Sequence, residues 1–321
     1  MTKTNTRALV TGGSGFIGQN LTLQLIGSGY QVINLDLAEP DIPHLKDSWV
    51  KCDITDAEKI DEIVASFKPE LVFNLAARTD LDGTSLFEYR TNFQGLTALL
   101  QVLNEQRFSG TFVHFSSLLV NDVNNLQSDL HIYNPKTFYG ESKALGELIL
   151  QSHQSISFRW LIVRPTSIWG PGFKKPYRDF FEKVKSQIFM LPQNKKVYRN
   201  YGYVNNIIMD LLYCVNHMEI NRQTYYLCDP MALELGCWAD LIADNFKVSK
   251  PRRVPKLILQ LIAKFGDILK IFGINFPIYS FRLNNMLTDI RIPREQILTG
   301  KIKRTDIPTA VRKTCQYFDE Q

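Results

Sequence analysis

One glycine-rich stretch decides the fold: residues 11–18 read TGGSGFIG. It lies between an apolar run with strand character, Arg7–Thr11, and a segment of helical periodicity, Ile17–Ser28. Glycines between a strand and a helix permit a tight turn, and they let a phosphate approach the amides at the helix N-terminus. A plain glycine turn is the alternative, but the flanking elements favour dinucleotide binding. The candidate binding residues are Gly12, Gly15, Phe16, Ile17 and Gly18.

The same alternation continues through the first half of the chain. Short apolar runs are separated by longer helical segments, which is typical of βαβ units and a parallel sheet. We therefore predict an α/β fold with a doubly wound parallel Rossmann sheet, carried by a dinucleotide-binding domain over residues 1–165. The further predicted strands are Gln31–Asp36, Leu71–Leu75, Thr111–Ser116 and Trp160–Val163, and the further helices are Ala57–Ser66, Phe87–Gln106 and Thr137–His153.

The composition changes after Pro165, where Pro, Gly and aromatic residues occur in shorter elements. Thr224–Cys228 has the pattern of a further strand, within a segment near residues 197–228 that returns to the sheet. We predict a second, smaller α/β domain over residues 166–321, interleaved with the first, that binds the substrate.

Composition excludes several classes of protein. The 321 residues hold 37 Lys and Arg against 32 Asp and Glu, and these cations are scattered, so we expect an acidic small molecule and no nucleic acid as partner. Five cysteines without a CxxC pair indicate neither disulfides nor a zinc site, and they favour a reduced, cytoplasmic compartment. The polar start of the chain predicts no signal peptide, and no apolar run reaches the length of an integral membrane segment.

An acidic residue ends the second predicted strand. Asp36 lies 18 residues after Gly18, where its carboxylate can accept hydrogen bonds from an adenosine ribose. It would repel a 2′-phosphate, and residues 37–39 provide no cation to offset that, so the sequence favours NAD over NADP. Asp53 could lie near the adenine amino group, or it could be a solvated loop aspartate.

The candidate catalytic pair is Tyr139 and Lys143, four residues apart on one face of a predicted helix. An ammonium one turn away, together with the positive nicotinamide of bound NAD, would favour the phenolate and lower the tyrosine pKa from its usual value near 10. Ser116 and Ser117 end a predicted strand at the sheet edge where ligands bind, and a hydroxyl there could bind a substrate oxygen. No histidine lies in a nucleophile motif, so hydrolysis is not supported.

In these motifs and their order the chain resembles the extended short-chain dehydrogenase/reductase family, in its NAD-dependent epimerase/dehydratase branch that acts on nucleotide sugars. The resemblance covers nearly the whole chain. The matching residues are 11–18, Asp36, Asp53-Ile54, Asn74-Leu75-Ala76-Ala77, Ser116-Ser117, Tyr139 to Lys143, Arg164-Pro165 and 167–172.

The resemblance implies roles for these residues. Tyr139 would be the acid/base, Lys143 would hold the nicotinamide ribose and lower the tyrosine pKa, and Ser117 would bind the reacting hydroxyl. It further implies a nucleotide-diphosphate sugar as substrate and a homodimer formed through Phe87–Gln106 and Thr137–His153. The implied cofactor contacts are Asp53, Ile54, Leu75, Ala76 and Ala77, and the implied substrate contacts are Ser167, Arg199 and Arg282.

Two departures from the family pattern refine this hypothesis. Members that eliminate water resemble one another in an Asp-Glu pair after the catalytic Thr, whereas Leu118 and Leu119 stand here. Leucines transfer no protons, so dehydration is disfavoured. Residues 198–206 are similar to the family's phosphate-binding segment and keep Arg199, whose guanidinium suits a diphosphate, although Asn replaces three of its aspartates.

We therefore predict an NAD-dependent nucleotide-sugar 4-epimerase that passes through a 4-keto intermediate. One alternative is an NAD(P)H-dependent reductase of a nucleotide 4-keto-6-deoxy sugar. Another is an oxidoreductase similar to 3β-hydroxysteroid dehydrogenases, which would take an apolar alcohol. A protein that senses NAD without catalysis is a further alternative from a different class, although all three catalytic positions are filled.

The segment Val254–Phe272 has the periodicity of an amphipathic helix. Its polar residues recur at intervals of three or four and leave the rest of the circumference apolar. We expect the apolar face to pack on the substrate domain or to line the sugar cleft. Because Lys256, Lys264 and Lys270 lie on its polar face, reversible contact with a membrane surface is the alternative.

Overall fold

The computed structural model describes residues 6–153, 156–174, 177–272 and 279–320. The strands are β1 (Arg7–Thr11), β2 (Gln31–Asp36), β3 (Trp49–Lys51), β4 (Leu71–Asn74), β5 (Thr111–Phe115), β6 (Arg159–Pro165), β7 (Ser167–Trp169), β8 (Met190–Pro192), β9 (Tyr198–Arg199), β10 (Tyr201–Tyr203), β11 (Gln223–Leu227), β12 (Leu233–Glu234) and β13 (Arg252–Val254). The α-helices are α1 (Phe16–Gly27), α2 (Ala57–Phe67), α3 (Thr91–Glu105), α4 (Phe138–Ser152), α5 (Tyr177–Lys185), α6 (Val204–His217), α7 (Leu235–Phe246), α8 (Lys256–Ile271), α9 (Ser280–Met286) and α10 (Ile307–Asp319).

The central sheet has seven strands in the order β3-β2-β1-β4-β5-β6-β11, and all neighbours are parallel. Chain order runs outward in both directions from β1 and β4, so the topological switch point lies at the carboxyl ends of these two strands. Thr11 and Asn74 are register partners there. The predicted doubly wound parallel sheet is confirmed.

Side chains of β1 show why helices cover both faces of the sheet. Ala8 and Val10 belong to one apolar core with α1 and α6, whereas Leu9 belongs to a second core with α2 and α3. Successive side chains of a strand point to opposite faces, and burial on both faces requires the nearly continuous apolar runs that the sequence contains.

The chain forms two compact units. The first contains the seven-stranded sheet and consists of residues up to Ile168, Val204–Cys228 and Arg294–Lys303. The second consists of Trp169–Tyr203, Asp229–Pro293 and residues from Arg304 onward. Its core is aromatic: the Trp238 ring centroid lies 4.5 Å from that of Tyr201 and 4.9 Å from that of Phe180. Substrate binding by the second unit stays a prediction.

The predicted helix Phe87–Gln106 is divided in the structure. Leu86–Tyr89 forms a 3-10 turn, and α3 follows from Thr91. Glu88 accepts hydrogen bonds from the backbone and hydroxyl of Thr84, and the Tyr89 hydroxyl bonds to the segment before it. These hydrogen bonds join the 3-10 turn to the loop before it. They cannot be predicted from the periodicity of the sequence.

The amphipathic segment also differs from the prediction. It begins with β13, in which Val254 pairs with Pro192 of β8, and α8 starts only at Lys256. Leu259 and Ala263 are buried. The helix therefore packs on the rest of the unit, as expected, but only along a narrow side. Six other apolar side chains of this segment are between 45% and 75% exposed. We call this set the apolar stripe: Leu257, Ile258, Leu261, Phe265, Ile268 and Phe272.

No helix in the described part of the chain is both long enough and apolar enough to cross a bilayer.

Candidate active site

The glycine-rich turn lies at the switch point of the sheet. Gly12 has a φ of +72°, and a Cβ on it would lie 2.5 Å from the Ala76 nitrogen, so glycine is required there. This approach brings the turn against Leu75 and Ala76 at the end of β4. Ser14 donates its backbone N–H to Asp36 Oδ2 at 2.9 Å, which joins the turn to the end of β2. The turn and both strand ends therefore form one edge of the first unit.

The donors and acceptors at this edge fit a dinucleotide. Helix α1 begins after Gly15 without a side-chain cap, and Gly15 is exposed, so the helix N-terminus is accessible to a phosphate. Asp36 Oδ1 accepts from the Ala38 N–H at 3.0 Å, which orients the half-buried carboxylate at the position expected for a ribose acceptor. A 2′-hydroxyl can donate to it, while a 2′-phosphate would be repelled. These residues fit NAD.

The other predicted cofactor residues have different surroundings. Asp53 is exposed, and its Oδ1 accepts from the backbone and hydroxyl of Thr55 at 2.9 and 2.8 Å, so this oxygen closes a local turn. Ile54 is buried under α3, where its side chain packs against Gly95. Leu75, Ala76 and Ala77 are half-buried after β4. Cofactor contact by Asp53 and Ile54 stays a prediction.

The catalytic candidates come together after β5. Ser117 caps a short 3-10 turn, and its Oγ accepts from the Leu119 N–H at 3.1 Å. Its side chain also interacts with that of Tyr139, in the first turn of α4, strongly enough to act on the tyrosine pKa. Gly140 permits this closeness, because a Cβ there would lie 2.1 Å from the Leu119 carbonyl oxygen. Lys143 lies one turn further along α4 and donates from Nζ to the Phe115 carbonyl at 2.8 Å.

Burial determines the protonation states of this group. The pKa of Tyr139 is raised to about 12 by loss of solvation, although the hydrogen bond from Ser117 opposes the shift. The pKa of Lys143 is lowered to about 8 by burial, against the opposing effect of Glu147. In the protein without cofactor the pKa of Tyr139 therefore moves in the opposite direction to the predicted lowering, which includes the charge of bound NAD and stays a prediction for the complex. Desolvation dominates there, and the Lys143 ammonium is directed at a backbone carbonyl.

The lowered pKa of Lys143 predicts a pH-dependent stability difference. The unfolded chain binds this proton up to about pH 10.5 and the folded chain only up to about pH 8. Stability from this group is therefore complete above pH 10.5 and is lost as the pH falls to 8. We compare the free energy of unfolding of Lys143→Met with that of the native chain. The difference should favour the variant by about 3 kcal/mol more at pH 7 than at pH 10.5. Urea unfolding of the cofactor-free proteins measures it, and a pH-independent difference would contradict the burial argument.

A buried ion pair supports α4, and the sequence motifs do not predict it. Arg164 of β6 donates to both carboxylate oxygens of Glu147 at 2.9 and 2.7 Å, and both side chains are fully buried. Glu147 also accepts from Ser116, the neighbour of Ser117, and from the Tyr133 hydroxyl. It lies four residues after Lys143 on α4. That spacing is the signal that could have drawn attention to it.

Asn92 is a second residue of this region that the sequence motifs do not predict. It exchanges two hydrogen bonds with the backbone of Arg78, at 2.8 and 3.0 Å. Its amide also donates to the Ser142 hydroxyl at 2.8 Å, and Ser142 donates to the Tyr139 carbonyl. Asn92 therefore joins the segment after β4 to the first turn of α4.

The predicted substrate residues lie elsewhere in the chain. Ser167 is half-buried at the start of β7. Arg199 of the second unit donates from Nε to the Thr288 carbonyl at 2.9 Å and from Nη2 to the Asn285 carbonyl. Its Nη1 has no acceptor among the described residues. The side chain of Arg282 lies outside the described residues, so its predicted contact is untested.

Comparison with known proteins identifies the family of this chain. A model of the NAD dependent epimerase/dehydratase family matches residues 8–227. A 3-beta-hydroxysteroid dehydrogenase from Mycolicibacterium neoaurum is 30% identical over 292 residues, which cover 85% of this chain and 79% of that protein. The N-acetyl-alpha-D-glucosaminyl-diphospho-ditrans,octacis-undecaprenol 4-epimerase of Escherichia coli O157:H7 is 24% identical and aligns over 98% of this chain and 95% of its own.

The fold has a match among solved structures. The Bordetella bronchiseptica enzyme WbmH, crystallised in complex with NAD+, superposes with a TM-score of 0.75 at 20% identity, over 99% of each chain.

This chain belongs to the NAD-dependent epimerase/dehydratase family. It is an NAD-dependent enzyme of the extended short-chain dehydrogenase/reductase type, which confirms the predicted class and cofactor.

Proposed function

We propose that this enzyme is a 4-epimerase of a hexose held as a diphosphate ester. The observation that carries the proposal is the buried contact of Ser117 with Tyr139, one helical turn from Lys143. These residues follow β5, in the unit that also holds the glycine-rich turn and Asp36. The arrangement supplies a proton acceptor, a hydroxyl donor and an ammonium, as alcohol oxidation and ketone reduction require.

Ser117, Tyr139 and Lys143 would act together on the proton of the sugar 4-hydroxyl. Ser117 accepts from Leu119, which leaves its hydroxyl hydrogen to stabilise the Tyr139 oxygen when that oxygen is ionised. Tyr139 would remove the proton of the sugar 4-hydroxyl and return it after the sugar has turned over. Lys143, held by the Phe115 carbonyl, would supply positive charge beside the phenolate. Bound NAD supplies the acceptor and donor of hydride.

Leucine after Ser117 supports epimerisation over dehydration. Leu118 is buried and Leu119 is half-buried, and the Leu119 backbone is fixed by Ser117 and by its close approach to Gly140. Elimination of water needs an acid and a base beside the sugar, and neither leucine transfers a proton. Hydride and proton exchange at C4 is the chemistry that the remaining side chains support.

The diphosphate ester is the chemistry that the proposed substrates share. The Escherichia coli relative is named for a sugar on undecaprenyl diphosphate, and the family resemblance indicates a sugar on a nucleotide diphosphate. Arg199 is the proposed phosphate ligand. Its bonds to Thr288 and Asn285 hold the guanidinium plane by Nε and Nη2, so Nη1 remains for a phosphate oxygen.

A second candidate is oxidation of an apolar alcohol. It is favoured by the 30% identity with the Mycolicibacterium neoaurum hydroxysteroid dehydrogenase. The same Ser117, Tyr139 and Lys143 would serve that reaction, but no charged group would be needed for the substrate. The two candidates therefore differ in what they require of Arg199.

The variant Arg199→Ala separates the two candidates. Loss of a charge-assisted hydrogen bond to phosphate predicts a rise in KM of roughly ten- to a hundredfold for a UDP-hexose. KM for an apolar sterol alcohol should stay unchanged. Arg291→Ala is the matched control, because Arg291 is exposed in the same unit and pairs with Asp289. An unchanged KM for every sugar diphosphate, with turnover of the sterol, would favour the second candidate.

We further propose a cytoplasmic homodimer that associates through the outer faces of α3 and α4. Leu148 of α4 is 47% exposed, and Phe138 at the start of the same helix is 42% exposed. Burial of such side chains favours association. A monomeric mass in sedimentation equilibrium would contradict this.

A further inference from the structure

We infer that the apolar stripe of α8 docks this enzyme on the surface of an anionic lipid bilayer. At 100° per residue, the five stripe residues within α8 fall within an arc of about 100°, and Phe272 follows directly after the last residue of the helix. Leu257 is 73% exposed, Leu261 68% and Phe272 75%. Single exposed apolar residues are common on proteins, but a continuous row along four turns indicates a contact surface.

The helix is fixed with this stripe outward. Leu259 and Ala263 are buried on the opposite side. Asp267 accepts hydrogen bonds from the backbone and the hydroxyl of Ser280, at the start of α9. Rotation of α8 to cover the stripe would break these bonds and expose the buried side. The stripe is therefore a fixed feature of the second unit.

The charge around the stripe indicates which partner it meets. Residues 247–272 contain seven Lys and Arg residues and one acid, Asp267, which is engaged with Ser280, while two of the seven cations, Lys250 and Arg253, pair with Asp244 and Asp240. Arg252, Lys256 and Lys264 are exposed and form no ion pair among the described residues. Lys264 borders the stripe. Apolar side chains flanked by exposed cations match the acyl boundary and the headgroups of an anionic membrane.

Two other arrangements fit less well. A second copy of the chain would bring equal cationic borders together, and that repulsion opposes association. The helix has sixteen residues, and a length of about 24 Å is shorter than the roughly 30 Å hydrocarbon core. Helix α8 therefore suits a position in the membrane plane. Docking does not depend on the proposed reaction, because the stripe contains none of the candidate active-site residues.

Cosedimentation of the full chain with vesicles tests the inference. We expect binding to phosphatidylcholine vesicles that contain phosphatidylglycerol, and much weaker binding to phosphatidylcholine alone. Leu261→Asp should lower the partition coefficient roughly tenfold or more, since it removes one apolar side chain and adds an opposing charge. Ile188→Asp is the matched control, because Ile188 is 58% exposed in the same unit, and it should bind like the native chain.

The outcomes are distinct. Leu261→Asp should keep the native turnover of a soluble sugar nucleotide, so failure of docking and failure of the proposed function are separable. Equal loss of binding in both variants, or no binding of the native chain to anionic vesicles, would overturn the inference. A native dimer that Leu261→Asp converts to a monomer in the absence of vesicles would also overturn it, in favour of a second copy on the stripe.

Discussion

Tyr139→Phe should lower kcat by about a hundredfold to ten-thousandfold, because it removes the hydroxyl that exchanges the substrate proton. The fold should be retained, since the phenyl ring can keep its packing against Tyr89, whose ring centroid lies 6.1 Å away. Affinity for NAD, measured by titration calorimetry, should change little, because the glycine-rich turn and Asp36 lie on other elements. The loss should therefore appear in kcat.

Tyr133→Phe is the matched control for this variant. Tyr133 is also a tyrosine whose pKa burial raises to about 12. Its hydroxyl donates to Glu147 at 3.1 Å and bonds to Gln151, and it has no contact with Ser117 among the described residues. We expect kcat of this variant within about threefold of the native value. Equal losses of kcat in both variants would show that turnover depends on buried tyrosine hydroxyls in general and that Tyr139 has no special role.

Glu147→Gln should be the most destabilising of these changes, because it leaves the Arg164 guanidinium charged and unpaired in the core. Both side chains are fully buried, and Arg164 also donates to the Leu130 carbonyl. Breaking a buried pair by removal of one partner costs about 3–5 kcal/mol. Urea unfolding of the cofactor-free protein measures the change in the free energy of unfolding.

The double variant Glu147→Gln, Arg164→Met provides the control. It removes both charges, so we expect it to be less destabilised than the sum of the two single variants by more than about 1 kcal/mol. Additive losses would show that the two side chains act separately. Ser116, the neighbour of Ser117, donates a hydrogen bond to Glu147. If Glu147→Gln also lowers kcat while its affinity for NAD is unchanged, the ion pair helps to position Ser117.

Local patterns in the sequence predicted the central sheet well. Strands β1 and β2 have the predicted bounds, and β4 and β5 end one residue early. Buried parallel strands are predictable because they are apolar runs bounded by glycine or polar residues. The turn at residues 11–18 was equally readable, since its glycines, strand and helix are contiguous.

Features that depend on tertiary packing were not readable. The pKa of Tyr139 moves upward because distant residues bury it, and i, i+4 spacing to Lys143 carries no information on burial. The periodicity of residues 254–272 identified an amphipathic helix, but it did not show that Leu259 faces the interior while Leu261 faces out.

The fate of a label at sugar C4 distinguishes the proposed epimerisation from its alternatives. UDP-, GDP- and dTDP-hexoses and a polyprenyl-diphosphate hexose, each deuterated at C4, are incubated with the enzyme and NAD, and the products are analysed by NMR and by NADH absorbance. We predict that one of these esters is converted to its C4 epimer with the deuterium still at C4 and no net NADH. Stoichiometric formation of NADH from an unlabelled sterol alcohol, with no inversion of any sugar, would contradict it.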